Sequence, residues 1–373
     1  MNNHTSHITQ GQFLFIIFHT QIGVGILSLP YNVQETAKGD GWISVLIGGV
    51  AVQLLILMHW ALNRRFPSQT LYDFLPHLTG KWIAKILTLT YSLFFTMLVV
   101  TVCTLYFGII HHWMLPNTPL WVINGLMMLT AVYLVTGTLR HIGRLFVFVS
   151  GLSALLVIIA TLAYMEPYTG INFNYIMPLG QIAGSLNLLK GANETFFSLM
   201  GFELALVLYP FVEGSHTDKL KATSLANMMV TMVYTFITLT SLIVFSPVEI
   251  RLIPSPIIYM LKAFKFELVE RPDLLFITLW IVSVFTSVVS YLYAGTIGFA
   301  HLLNQKSHKK VVPWIALGIY LVSFIPQDPL DVEMVNQITS ITGYIFVIGI
   351  PFILLSISYL FRKKEHPSKS GIF

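Results

Sequence analysis

The chain has 373 residues, of which 55% are hydrophobic and only 10% charged, with a formal net charge of +5. Soluble domains carry about 25% charged residues, and a mean hydropathy of +0.75 belongs to a chain that dissolves in lipid. The positive charge is scattered through short loops and makes no nucleic-acid-binding patch. The one cysteine, Cys103, lies in an apolar run, which excludes a disulfide framework or a cysteine-based metal site within the chain.

No Asp, Glu, Lys or Arg occurs between Asp40 and Arg64, Lys85 and Arg140, Arg144 and Glu166, Lys221 and Glu249, Asp273 and Lys306, or Glu333 and Arg362. Each gap exceeds the roughly 20 apolar residues that cross a hydrocarbon core. The runs do not alternate as barrel strands of about 10 residues do, so helices are predicted. In chain order the spans fall at 11–35, 41–63, 83–111, 119–137, 143–165, 187–210, 222–246, 272–303, 311–325 and 334–361. The first lacks a basic leader and an Ala-x-Ala cleavage pattern, and His19, Thr20 and Gln21 interrupt it; a retained helix is expected rather than a signal peptide. Segment 166–186, with Pro167, Gly170, Pro178 and Gly180, is predicted as an irregular outer loop. Segment 249–271 is too charged to cross, and Pro254-Ser255-Pro256 opens a predicted short surface helix over 255–266.

Sidedness follows from Lys and Arg. With both termini inside, fifteen of the 21 basic residues lie on the inner side, from Arg64 and Arg65 to the basic tail at 362–373 that includes Lys364 and Lys369. Lys38, Lys190, Arg251, Lys262, Lys265 and Arg271 are left outside.

Two spans carry internal breakers. The first reads Gln21-Ile22-Gly23-Val24-Gly25-Ile26-Leu27-Ser28-Leu29-Pro30, and the sixth reads Phe197-Ser198-Leu199-Met200-Gly201-Phe202-Glu203 before Pro210. Glycine weakens a helix by about 1 kcal/mol relative to alanine. In lipid, backbone groups freed by a break cost several kcal/mol each unless a cavity, water or ligand satisfies them. Gly23 and Gly25 also suit close helix packing. Spans one and six, however, begin the two five-helix halves (11–165 and 187–361), and matched interruptions of that kind point to a midplane binding site. The domain organisation is therefore a single transmembrane unit over 1–373.

Polar residues inside spans carry a cost of about 3 kcal/mol per charge on insertion scales. Glu203 follows the second break, and it has four open roles: proton site, cation site, brace for the unwound backbone, or a protonated structural carboxyl. Glu194 is expected to pair with Lys190 near the interface. Ser283, Ser287, Ser290 and Ala294 recur at helical spacing in the eighth span beside Thr286, Tyr291 and Tyr293; their hydroxyls either meet a ligand or bond back to their own helix. Tyr91, Thr101, Thr104 and Tyr106 are weaker candidates in the third span. His19 is expected to pack in the bundle, and His111-His112 to sit in a loop without a metal. Gly80-Lys81 lacks the earlier glycine of a phosphate loop, and no Gly-x-Ser-x-Gly or His-Glu-x-x-His pattern occurs. No enzyme, cofactor or metal site is expected.

The opening Ile8-Thr9-Gln10-Gly11-Gln12, the segment Gly23–Pro30, the Gly201-Phe202-Glu203 centre and the ten-span layout resemble the B-subunit permeases of endospore germinant receptors. That family belongs to the amino acid–polyamine–organocation superfamily. The resemblance implies an all-α integral membrane fold of about ten helices, built as two inverted five-helix repeats with spans one and six broken, similar to the LeuT type. It implies a pocket at Gly23, Val24, Gly25, Thr101, Leu199, Gly201, Ser287 and Tyr291, whose mostly apolar expected lining suits a small neutral germinant such as an amino acid or sugar. It implies a multi-pass protein of the spore inner membrane that acts with an A-type membrane subunit and a C-type lipoprotein subunit. The alternatives are a proton-coupled amino-acid permease with Glu203 as the proton site, and a scaffold subunit with a vestigial pocket.

Overall fold

The computed structural model describes residues 7–161, 171–180, 182–263, 271–326 and 328–365. Among these, helices account for nearly all regular structure, and a single parallel bridge joins Ile8 to Val212. The helices are α1 (Gln10–Gln21), α2 (Gly25–Ala37), α3 (Gly41–Asn63), α4 (Leu71–Thr79), α5 (Lys81–Trp113), α6 (Leu120–Val135), α7 (Leu139–Thr161) and α8 (Ser185–Ser198). They continue as α9 (Ala205–Leu208), α10 (His216–Val244), α11 (Pro256–Ala263), α12 (Pro272–Leu302), α13 (Val312–Val322), α14 (Pro329–Gly343) and α15 (Ile350–Leu360).

Among the described residues six helical stretches are long and apolar enough to cross a membrane, seven when the bent pair Ser185–Ser198 and Phe202–Phe211 counts as one. The predicted fourth and ninth spans correspond to α6 and α13, which are apolar but shorter, at 16 and 11 residues. Large apolar side chains such as Val50, Leu54, Leu126, Leu129 and Phe148 are exposed on the periphery. A water-soluble domain would not expose so many together, whereas a lipid-facing surface does.

Local chemistry accounts for the helix ends. Thr9 and Gln12 cap α1 reciprocally, with Gln12 N–H donating to Thr9 Oγ1 at 3.2 Å and Thr9 N–H to Gln12 Oε1 at 3.0 Å. Ser215 and Asp218 do the same for α10, and Thr70 and Asp73 for α4; such boxes satisfy two orphan donors at once. Asp40, fully buried in the tight turn between α2 and α3, accepts from Gly180, Ile182 and Ala183 N–H at 2.8, 2.8 and 2.9 Å, pinning the loop before α8 to the bundle.

Four features differ from the sequence-based expectation. The expected surface helix is α11, and it is packed into the bundle end, with Ile257, Ile258 and Leu261 fully buried. His111 and His112 stand in the last turn of α5 rather than in a loop. The unassigned stretch after span two contains α4, a short amphipathic helix whose Tyr72 hydroxyl donates to Ala294 O at 3.0 Å. A widened helical turn over Tyr344–Gly349 separates α14 from α15. Glu166, Pro167, Gly170, Lys265, Glu267, Glu270 and Lys369 lie outside the described residues.

Candidate functional site

The first break separates α1 from α2. Ile22 N–H still reaches Phe18 O at 3.0 Å, but the next bonded amide of the resumed helix is Leu27, donating to Val24 O at 3.3 Å. Among the described residues the N–H groups of Val24, Gly25 and Ile26 have no acceptor, and no side chain caps α2. The start of a helix carries about half a positive charge, shared among such amides. Three donors and a dipole therefore converge where the chain is interrupted.

Four of the carbonyls around the break, by contrast, are taken. Tyr234 donates its hydroxyl to Gln21 O at 2.8 Å, Trp280 its Nε1–H to Gly23 O at 3.2 Å, and Ser287 its hydroxyl to His19 O and Thr20 O at 3.2 and 3.3 Å. α10 and α12 thus stabilise the break from outside, leaving an electropositive residue of amides.

The second break bends the chain by 51° between α8 and the segment Phe202–Phe211. At its centre Gly201 has φ +136°. A Cβ there would lie 2.8 Å from both Gln21 N and Thr20 C, so only glycine lets the two interruptions touch. Gln21 spans the contact, its Nε2 donating to Leu199 O at 2.8 Å. Glu203 is buried, with 1% of its surface exposed. Its Oε2 accepts from Gly201 N–H at 2.7 Å, and its Oε1 has no close partner among the described residues, although the Tyr291 hydroxyl lies near enough to hydrogen-bond the carboxyl. Asn63 Nδ2 donates to Ala205 O at 3.2 Å and completes the bracing.

The two breaks form the floor of a cavity of about 890 Å³, which falls within the size range of small-molecule sites. Gly23, Val24, Gly25, Thr101, Ser287 and Tyr291 are on its wall. Leu199, Gly201 and Glu203 stand behind it: Leu199 is fully buried and offers its carbonyl to Gln21, and Glu203 braces Gly201. Gly25 packs on Ser198, whose Cβ an added methyl would approach at 2.9 Å. Thr101 Oγ1 pairs with Thr339 Oγ1 at 2.8 Å, joining α5 to α14 across the cavity.

The serine stripe divides. Ser287 bonds to the broken helix, and Thr286 bonds back to Ser283 O at 2.6 Å. The hydroxyls of Ser283 and Ser290 have no partner among the described residues. His19 packs edge-on against Phe18 and Phe146.

Glu194 does not pair with Lys190; among the described residues no ion pair joins them. It lines the cavity mouth with Glu35 and Glu333, beside Asn193, Asn336 and Gln337. The wall is thus more polar than the mostly apolar lining expected from sequence. Tyr234, Trp280, Gln21 and α14 also shape the site without being among the pocket residues expected from sequence. Gln21 sits within the breaker motif itself and was legible there; Trp280 and Tyr234 sit in ordinary apolar runs that give no such signal. No group of three or more His, Cys, Asp or Glu among the described residues is placed to hold a metal.

Comparison with known proteins places this architecture. The family described as spore germination protein matches residues 7–332. The spore germination protein GerQB of Bacillus cereus is 28% identical over 334 residues, covering 89% of this chain and 90% of that protein. The spore germination protein YndE of Bacillus subtilis (strain 168) is 27% identical over 370 residues, covering 97% and 99%. Among solved structures, MhsT in complex with L-phenylalanine superposes with a TM-score of 0.67, covering 95% of this chain and 89% of its own at 14% identity. That likeness establishes the fold, which is of the LeuT type.

Proposed function

Because the chain belongs to the family of spore germination proteins, we propose that it is the germinant-sensing, permease-like membrane subunit of a spore germination receptor. A small nutrient such as an amino acid or sugar binds in the cavity where the two broken helices meet. One observation carries this reading: the unpaired amides of Val24, Gly25 and Ile26 sit at the floor of a roughly 890 Å³ chamber, while the carbonyls of His19, Thr20, Gln21 and Gly23 are already satisfied. That polarity suits a carboxylate or hydroxyl of the ligand. Ser198, Thr101 and Tyr291 then bound it from α8, α5 and α12.

Signalling follows from differential affinity. The ligand touches elements of both halves, and it favours whichever packing of α1, α2, α8 and α9 against α5 and α12 it binds better, by no more than that difference. In this proposal an A-type membrane subunit and a C-type lipoprotein subunit read the shift in the spore inner membrane. The ten predicted segments all span, with both termini inside, as the basic asymmetry of the loops supports.

Val24→Trp fills the chamber from its floor. Spores carrying this variant at normal protein level are expected to need at least about tenfold more germinant, a loss of 1.4 kcal/mol or more in binding. An unchanged dose response would remove the cavity from the mechanism.

A proton-coupled permease is the second reading, favoured by the Oε1 of Glu203 between the breaks, which has no close partner among the described residues. It requires that the purified protein alone move labelled amino acid into liposomes, and that Glu203→Gln stop this movement.

A further inference from the structure

The cavity presents uncapped amides at its floor and carboxylates at its mouth. Glu35 near the end of α2, Glu194 in α8 and Glu333 in α14 line the opening, and Glu35 and Glu333 are the charged neighbours of Glu194. No Lys, Arg or His is among the described residues on the cavity wall. Three like charges from three separate helices raise one another's energy, and a concave low-dielectric wall focuses their field inward. Deeper in, Gln21 is 1% exposed, lines the same cavity, and its Oε1 has no hydrogen-bond partner among the described residues. A buried acceptor left open costs about 1–3 kcal/mol, which a donor on an entering molecule recovers.

We propose that this site selects a cationic nutrient, a small molecule whose ammonium or guanidinium group is drawn by Glu35, Glu194 and Glu333. This rests on the cavity being the germinant site. The uncapped amides at the floor take the anionic or hydroxyl end, and the acidic mouth takes the cationic end. The charge is organic rather than metallic, because the three carboxylates are not gathered into one coordination sphere. Two of them ride on the broken helices and the third on α14, so a cation among them replaces repulsion with attraction and draws α14 toward α2 and α8.

The test uses the purified full-length chain in nanodiscs, titrated calorimetrically with L-lysine and with L-norleucine, which keeps the carbon chain and lacks the terminal ammonium. The expected result is L-lysine binding about tenfold tighter at low ionic strength, a ratio that shrinks as salt is raised. Combining Glu35→Gln, Glu194→Gln and Glu333→Gln should bring the ratio close to one. The exposed Glu333→Gln alone should lower it partway, which serves if the triple variant folds poorly. The ratio is the readout, so a general weakening of both ligands does not mimic the effect. Equal affinity of the two probes for the unaltered protein overturns charge selection while leaving the cavity reading intact. Binding of neither probe counts against the cavity itself and takes the charge inference with it. Calcium chloride alone binding through the three glutamates and displacing L-lysine would assign the mouth to a metal ion instead.

Discussion

Gly201 and Glu203 form one unit, two residues apart, in which the side chain of the second holds the backbone of the first. Gly201 is required twice, by its positive φ and by the backbone of Thr20 and Gln21 against its α-carbon. Gly201→Ala is therefore expected to cost about 1–3 kcal/mol from backbone strain alone, with overlap added. Its signature is a lowered melting midpoint of the detergent-purified protein. Glu203 separates bracing from proton chemistry by substitution. Glu203→Gln keeps an acceptor for Gly201 N–H, whereas Glu203→Leu leaves that buried donor unpaired at about 1–3 kcal/mol. If the carboxyl is a brace, the glutamine variant retains ligand binding and melting close to the parent and the leucine variant loses both. A glutamine variant that melts normally yet fails to respond would reinstate the proton.

Between elements the same principle recurs: a helix is interrupted, and a neighbour supplies the missing partner. Trp280 of α12 does so for Gly23 O, and Trp280→Phe removes that donor while preserving an aromatic ring. The orphaned carbonyl costs about 1–3 kcal/mol, and because it adjoins the free amides of α2, weaker binding of the germinant is expected in the same titration. In the widened turn before α15, Tyr91 donates to Phe346 O at 2.9 Å and His59 Nε2 meets Val347 O at 2.8 Å. Such turns recur at functional sites. At the end of the bundle away from the cavity mouth, Arg65 donates to Ser358 O and Lys363 O at 2.8 and 3.0 Å. There, too, Glu365 N–H returns to Arg65 O at 2.8 Å, and the Glu365 carboxylate accepts from Ser68 N–H at 3.0 Å. Arg65→Ala should free the segment after α15. Faster clipping there by trypsin, with ligand affinity unaltered, is the expected outcome; protection equal to the parent would show the clasp to be incidental.

Over the whole molecule, binding and folding are linked. A ligand that occupies only the native cavity stabilises it by about 2.7 kcal/mol at a hundred times its Kd. The germinant should raise the melting midpoint of the unaltered protein and leave that of Val24→Trp where it was. Asp40 offers a control remote from ligand. Asp40→Ala removes an acceptor shared by three N–H groups, each charge-assisted bond worth about 1.5–3 kcal/mol. It should lower the midpoint with and without ligand by the same amount, since it anchors a loop and leaves the cavity wall untouched.

The membrane class, the helical state and the places of the two breaks could be read from the chain alone. Long charge-free runs have no stable state in water, and glycine pairs such as Gly23 and Gly25 weaken a helix wherever it packs. The acidic mouth and the satisfaction of the breaks could not. Trp280 reaches Gly23 across 257 positions and Tyr234 reaches Gln21 across 213. Hydropathy records that a side chain is buried, but not which carbonyl it meets. Glu194 with Lys190 looked like a pair because both lie on one helix four residues apart. Packing instead turned Glu194 toward Glu35 and Glu333, from helices that only the tertiary fold brings to one opening. Local composition decided where the chain breaks; the convergence of distant helices decided what the breaks enclose, because a hydrogen bond depends on position in space rather than on distance along the sequence.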